Sequence, residues 1–318
     1  RLTLGVSASQ RVDGTESGIV AKALVNAAGP WAGTFLTDVL RQPAAFSLKL
    51  VKGSHIVVPR LYPGGHAYIL QNDDRRVVFA YPYQQHYTLI GTTDVEVHGD
   101  PEPCLASDEE ITYLCRAVNR YFTRQVSARD VVWSYCGIRP LYDDGSTDPS
   151  AVTRDYVLHV DQQAGAAPAL SVFGGKITTY RRLAEHALKK LAPWFPQMTG
   201  EWTAGVSLPG GNLDGGGPEQ FARARLKRDF PWATDELCLA LAGRHGADAY
   251  LVLGAAAAMA DLGEHFGAGL YACEIDYLIA HEWAKTAEDV LWRRTKTGLH
   301  LSPVQIEAVE RYIVQRAA

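Results

Sequence analysis

The sequence predicts a mixed α/β (α+β) chain, strand-rich for its first two-thirds and all-helical in its C-terminal third. Three observations predict this. Between residues 46 and 97, short β-branched and aromatic runs alternate with turn residues. Twice an apolar run meets a glycine and then helical periodicity, at Gly29-Pro30 and at Gly174-Gly175. Beyond a segment rich in Pro, Gly and Trp at 193–218, the patterns are helical throughout.

Arg1 to Val12 and Gly18 to Asn26 read as strands, the second ending in an apolar run that Gly29-Pro30 breaks. Trp31 to Leu40 then has helical spacing, and a strand running through glycine into a helix is the usual construction of a nucleotide crevice. Leu48 to Pro59, Ala67 to Gln71, Arg76 to Pro82 and Tyr87 to Asp94 read as antiparallel strands, with a hairpin turn at Asn72 to Arg75. Ser107 with Glu110 makes a capping box for a helix to Tyr121.

Val131 to Leu141 and Val152 to Val160 read as two strands around a turn-rich loop, and Leu170 to Phe173 as a buried strand entering the Lys176 to Leu191 helix. The helices beyond the linker are Glu219 to Asp229, Thr234 to Arg244, Asp248 to Met259, Leu270 to Trp283, Ala287 to Thr295 and Pro303 to Arg316. The expected divisions are 1–45, 46–173, 174–208 and 209–318.

Composition narrows the function. The 318 residues are 47% hydrophobic and 21% charged with a net charge of -4, which gives no electrostatic footprint for nucleic acid. Five cysteines form no CxxC pair, as expected of reduced thiols in a cytoplasmic compartment. No run approaches the roughly 18 apolar residues of a membrane span. The histidines show no metal-ligand spacing, and there is no GxSxG or GxGxxG. The chain opens on Arg1 in mid-pattern, which suggests a piece of a larger protein.

The chemistry-bearing residues cluster in the middle. If the strands around the loop fold back symmetrically about Ser146-Thr147, Arg139 and Arg154 stand opposite each other. Like charges so placed repel. A dianion between them reverses the sign, and two guanidinium forks suit a phosphate; pairing with Asp143, Asp144 or Asp155 is the other reading. Gly174, Gly175 and Lys176 precede a helix start where N–H groups and the positive dipole end face outward, with Thr178 and Thr179 in the first turn. That suits a phosphate or an electron-rich ring edge, or simply a tight turn. His55 follows a glycine in a strand and suits either a proton acceptor or a structural hydrogen-bonder. Thr92, Thr93 and Asp94 suit a turn cap or a ligand wall.

Read together, the segments ALVNAAGPWA, KGSHIVVP, LIGTTDVE, WSYCGIRPL, TRDYVL, SVFGGKITTYRRLAEHAL, ADLGEHFG and VLWRRTKTGL resemble the FAD-dependent, quinone-linked glycerol-3-phosphate dehydrogenases, from about residue 24 to 299. The resemblance implies the remnant of an FAD-binding Rossmann-like domain, an antiparallel-sheet substrate region and a helical C-terminal domain. It implies that Arg139 and Arg154 hold the phosphate of glycerol 3-phosphate, that His55 takes the C2 hydroxyl proton, and that Lys176 lies near substrate and flavin. Ala28, Gly29, Pro30, Trp31, Gly174, Gly175, Thr178 and Thr179 would line the FAD. It further implies quinone as electron acceptor, peripheral attachment to the cytoplasmic face of a membrane, and a homodimer. Members open with a GxGxxG unit that this chain lacks, so the chain alone is expected to bind FAD weakly or not at all and to turn over no substrate. An oxygen-reducing oxidase and a non-catalytic module for phosphorylated ligands are the competing expectations.

Overall fold

In the computed structural model, residues 4–9, 16–42, 47–143, 155–162 and 166–317 are described. The chain divides into two compact units, Arg1–Ala204 and Gly205–Ala318.

In the first unit, β1 (Leu4–Ser9) and β2 (Glu16–Ala21) form an antiparallel pair. The run expected as one strand to Asn26 breaks at Lys22-Ala23, and β3 (Leu24–Asn26) joins a different sheet. Next come β4 (Leu48–Pro59), β5 (Tyr68–Gln71), β6 (Val77–Tyr83), β7 (Tyr87–Gly91) and β8 (Val95–Val97). The strand expected to reach Asp94 stops at Gly91, and the chain turns before β8. β9 (Trp133–Tyr142), β10 (Tyr156–Asp161) and β11 (Ala169–Gly174) complete the set.

The main sheet runs β5-β6-β7-β4-β8, with β9 also paired to β4. β7 covers His55 to Pro59 and β8 covers Leu50 to Lys52, while β9 runs antiparallel from Leu48↔Tyr142 to Val57↔Trp133. This corrects the expected hairpin. β9 pairs with β4, placing Arg139 opposite Val51, and β10 pairs with β11 in the second sheet. The reason is the length of β4, whose second edge offers a row of N–H and C=O groups that must find partners. Arg154 lies outside the described residues, as do most of the loop and the start of the strand expected from Val152.

One face of the main sheet is covered by helix α1 (Asp108–Asn119), whose capping box is the expected Ser107 and Glu110. Leu114, Cys115, Ala117 and Val118 of the helix pack on Ile56, Val58, Leu70, Val78, Ala80 and Ile90. Strand alternation therefore turns His55, Gly53, Tyr135, Gly137 and Arg139 to the opposite face. That leaves α1 to hold the sheet and the other face to carry chemistry.

The second sheet, β10-β11-β3, pairs β11 antiparallel with β10 and parallel with β3. Phe173 packs with Ala32 and Leu36, and with the partly buried Leu48, Tyr142 and Val157. This small core joins the two sheets. β11 leads through Gly174-Gly175 into a 3-10 turn, Ile177–Thr179, and helix α2 (Tyr180–Leu191).

Cys104 and Cys136 form a disulfide, which corrects the expectation of five reduced thiols; Cys115, Cys238 and Cys273 remain free. A separation of 32 residues carries no motif, and only the register of β9 brings the two together.

The second unit is helical as expected, with longer helices at Asp235–His245, Ala272–His281 and Pro303–Ala317. Leu226, Leu241, Leu262, Leu270, Ile275 and Leu278 are fully buried at its centre. A short ribbon, His265–Gly267 with Leu270–Tyr271, interrupts the helices where Gly267, Ala268 and Gly269 all take positive φ. Buried Glu274 receives Arg244 at 2.8 Å and lies 2.7 Å from His245 Nε2, so the one deep carboxylate here is compensated.

Candidate functional site

Three glycines open the working face of the main sheet. The His55 imidazole lies flat above Gly91, where an added Cβ would come 2.1 Å from its Cδ2. The Arg139 guanidinium folds over Gly53, where a Cβ would come 2.3 Å from a terminal nitrogen. Gly137, paired with Gly53, has nothing within 4 Å of its Cβ position. The result is a trench on the sheet with an imidazole at one end and a guanidinium at the other. Gly53 and His55 are two residues apart on β4, about 7 Å of strand.

His55 stacks on Tyr135, with centroids 5.0 Å apart and planes at 4°. Its Nδ1 is buried and has no hydrogen-bond partner among the described residues. Burial, and then the Arg139 guanidinium, hold its pKa below the ordinary 6.5. The ring is therefore neutral near pH 7, the form that can accept a proton. Burial, with Tyr81 and Tyr83 alongside, pushes the Tyr135 phenol up to about 12, so it keeps its proton.

Arg139 is held by the turn that follows β7. One terminal nitrogen meets Asp94 Oδ1 at 2.7 Å and the other donates to the Thr93 carbonyl at 2.8 Å. Among the described residues its acid is thus Asp94. With a side chain about one-third exposed, the guanidinium keeps donors that a ligand can reach.

The glycine turn lies nearby. Gly174 and Gly175 have φ of +71° and +95°, and side chains there would press on the Asp155 carbonyl and Tyr156 Cβ, each at 3.0 Å. The Tyr142 backbone nitrogen, three residues beyond Arg139, sits 3.4 Å from the Gly174 Cβ position, so β9 runs from the guanidinium to this turn. Lys176, Ile177 and Thr178 are exposed. Thr179 donates its hydroxyl back to the Lys176 carbonyl at 2.7 Å, which fixes the turn.

β3 is parallel to β11 and ends beside it, so the Ala28 to Trp31 turn lies at the same sheet edge, outside the carboxyl ends of both strands. Buried Asn26 ties this edge together by donating to the Ala32 carbonyl and Ser171 Oγ. Two turns and the positive end of a helix fit an electron-rich ring system whose charge grows on reduction. A separate cleft of about 570 Å³, between α2 and residues 197–202, contains none of the expected site residues.

Sequence reading overlooked Tyr135, Gly91 and Gly137, and noted Gly53 only as the glycine before His55; the significance of all four depends on register. Thr92 to Asp94, read as a cap or a wall, form the turn that holds Arg139.

Replacing Gly91 by Ala is expected to displace the imidazole and lower kcat about 100-fold, the order of loss that a misplacement of 1 Å can cause. Steady-state kinetics check this, and an unchanged kcat would remove His55 from the chemistry.

Comparison with known proteins follows the same lines. The family model for "FAD dependent oxidoreductase" matches residues 4–181, and the model for the C-terminal domain of alpha-glycerophosphate oxidase matches 202–314. A glycerol-3-phosphate dehydrogenase of Pseudomonas aeruginosa is 50% identical over 96% of this chain, and the chain spans 59% of that relative. A D-erythritol 1-phosphate dehydrogenase of Brucella abortus is 46% identical over 90% of the chain and 56% of the relative. The structure of glycerol-3-phosphate dehydrogenase from Bacillus halodurans, complexed with FAD, superposes with a TM-score of 0.78 at 29% identity, covering 98% of this chain and 60% of that one. With more than half its length matched by one family model, the chain belongs to the FAD-dependent oxidoreductases.

Proposed function

We propose that this chain supplies the substrate side of an enzyme that oxidises the C2 hydroxyl of sn-glycerol 3-phosphate to the ketone of dihydroxyacetone phosphate. The observation that carries the reading is the trench: on one sheet face a neutral imidazole is seated over Gly91 and a forked cation over Gly53, with open space at Gly137. The phosphate is received by Arg139 and, as the family resemblance implies, by Arg154. His55 takes the hydroxyl proton as the hydride leaves C2, so the alcohol loses one proton and one hydride and becomes a carbonyl. FAD, when bound, supplies the two-electron acceptor for that hydride. Gly174, Gly175, Lys176, Thr178 and Thr179 hold its reactive end, and Ala28, Gly29, Pro30 and Trp31 lie on the other strand end.

Lys176 adds a positive charge at this edge. Electrons pass on to a quinone at the cytoplasmic face of a membrane, an assignment supported by the family resemblance. Among the described residues no helix is long and apolar enough to cross a membrane.

The test is the full-length protein, loaded with FAD and assayed with a quinone analogue. Glycerol 3-phosphate is expected to exceed D-erythritol 1-phosphate, with Arg139→Ala as control. Preference for the erythritol ester would reassign the substrate, and hydrogen peroxide formed without quinone would replace the dehydrogenase reading by an oxidase.

A further inference from the structure

Glu110 does more than cap a helix. Its Oε2 accepts from the Ser107 backbone N–H at 2.9 Å, closing the capping box, and meets Lys52 Nζ at 2.8 Å. Its Oε1 is spent on the sheet and the turn, accepting from Ser54 Oγ at 2.9 Å and Thr93 Oγ1 at 2.6 Å. All three residues are buried: Glu110 is 6% exposed, Ser54 0% and Thr93 1%. Burial raises the Glu110 carboxyl, and the donors from Lys52, Ser107, Thr93 and Ser54 outweigh it, leaving the pKa below the usual range.

Thr93 is the joint. Its hydroxyl donates to Glu110 and accepts from the Ser54 N–H at 2.9 Å, while its carbonyl accepts from Arg139 at 2.8 Å. The next residue, Asp94, holds the other end of the same guanidinium at 2.7 Å. A connected path thus runs from the covered face of the sheet, through the 92–94 turn, to the cation in the trench. A glutamate serving only its helix would need the Ser107 contact and nothing more.

We propose that Glu110 is a positioning residue for Arg139, acting through Thr93, and that this linkage sets affinity for the substrate phosphate rather than the rate of the chemical step. The proposal rests on the reading that Arg139 receives the phosphate. A fork aimed before the ligand arrives loses less freedom on binding.

The experiment uses the FAD-loaded full-length protein, with glycerol 3-phosphate as substrate and inorganic phosphate as competitive inhibitor. Thr93→Val removes the hydroxyl and keeps the shape. It is expected to raise both KM and the phosphate inhibition constant about tenfold, the scale of one lost buried hydrogen bond, with kcat within about twofold. Thr93→Ser, which keeps the hydroxyl, should restore both constants. In an Arg139→Ala background Thr93→Val should add little, because the group it positions is gone.

A Thr93→Val effect that persists in full without Arg139, or that falls on kcat alone, would overturn the proposal. If Arg139→Ala itself leaves the phosphate inhibition constant unchanged, the phosphate reading fails and the proposal falls with it. Glu110→Gln should move the same two constants; should it not fold, the threonine pair decides.

Discussion

His55→Gln is expected to lower kcat by about 10² to 10⁴-fold, the usual contribution of a positioned base, with little change in KM. Proton removal from C2–OH would then fall to water or to no group at all. The same residue makes a second expectation measurable. Burial and Arg139 together lower the imidazole pKa, so Arg139→Ala should move it back toward 6.5. An NMR titration of the free protein is the right measurement, because the substrate phosphate itself titrates near pH 6. An imidazole that titrates identically in both proteins would rule out electrostatic contact between the two groups.

The stability consequence has a definite sign. A histidine with a folded pKa below its unfolded value binds more protons when unfolded. The contribution of His55 to stability is therefore complete above pH 6.5 and is lost as pH falls through the folded value.

Arg139→Ala should lower kcat/KM for glycerol 3-phosphate about 100-fold, near the upper range for one charged hydrogen-bonding partner. Arg139→Lys should recover little, since an ammonium cannot hold Asp94, the Thr93 carbonyl and a phosphate with one planar fork. The decisive control is glycerol, which lacks the phosphate. Discrimination between the ester and glycerol should collapse in the variant. If both substrates slow equally, Arg139 supports the sheet and does not read the phosphate.

Much of this was legible in the sequence where local chemistry decides structure. β4 spans Leu48–Pro59 as its alternating apolar residues suggest, and α1 starts where Ser107 and Glu110 say it should. The glycine turn before α2 was visible for the same reason, since positive φ asks for glycine. Partner choice was not legible. The loop after β9 has the composition of a hairpin, yet β9 finds more by filling the long second edge of β4 than by folding onto β10. The Cys104–Cys136 bond and the glycine trench depend on that same register. Glu110 was seen as a cap because its second set of partners lies on β4 and in the 92–94 turn, distant in sequence.

On the proposed function, the three trench glycines also set durability against activity. Glycine inside a strand costs roughly 0.5–1 kcal/mol relative to alanine, so the sheet is weakest where the substrate would lie. At Gly53 and Gly91 an alanine collides with Arg139 or His55, but at Gly137 the space is open and the backbone is not left-handed. Gly137→Ala should therefore raise the melting temperature while its methyl group narrows the trench. Selection for thermal robustness alone would drift toward that substitution, and natural selection for turnover would remove it.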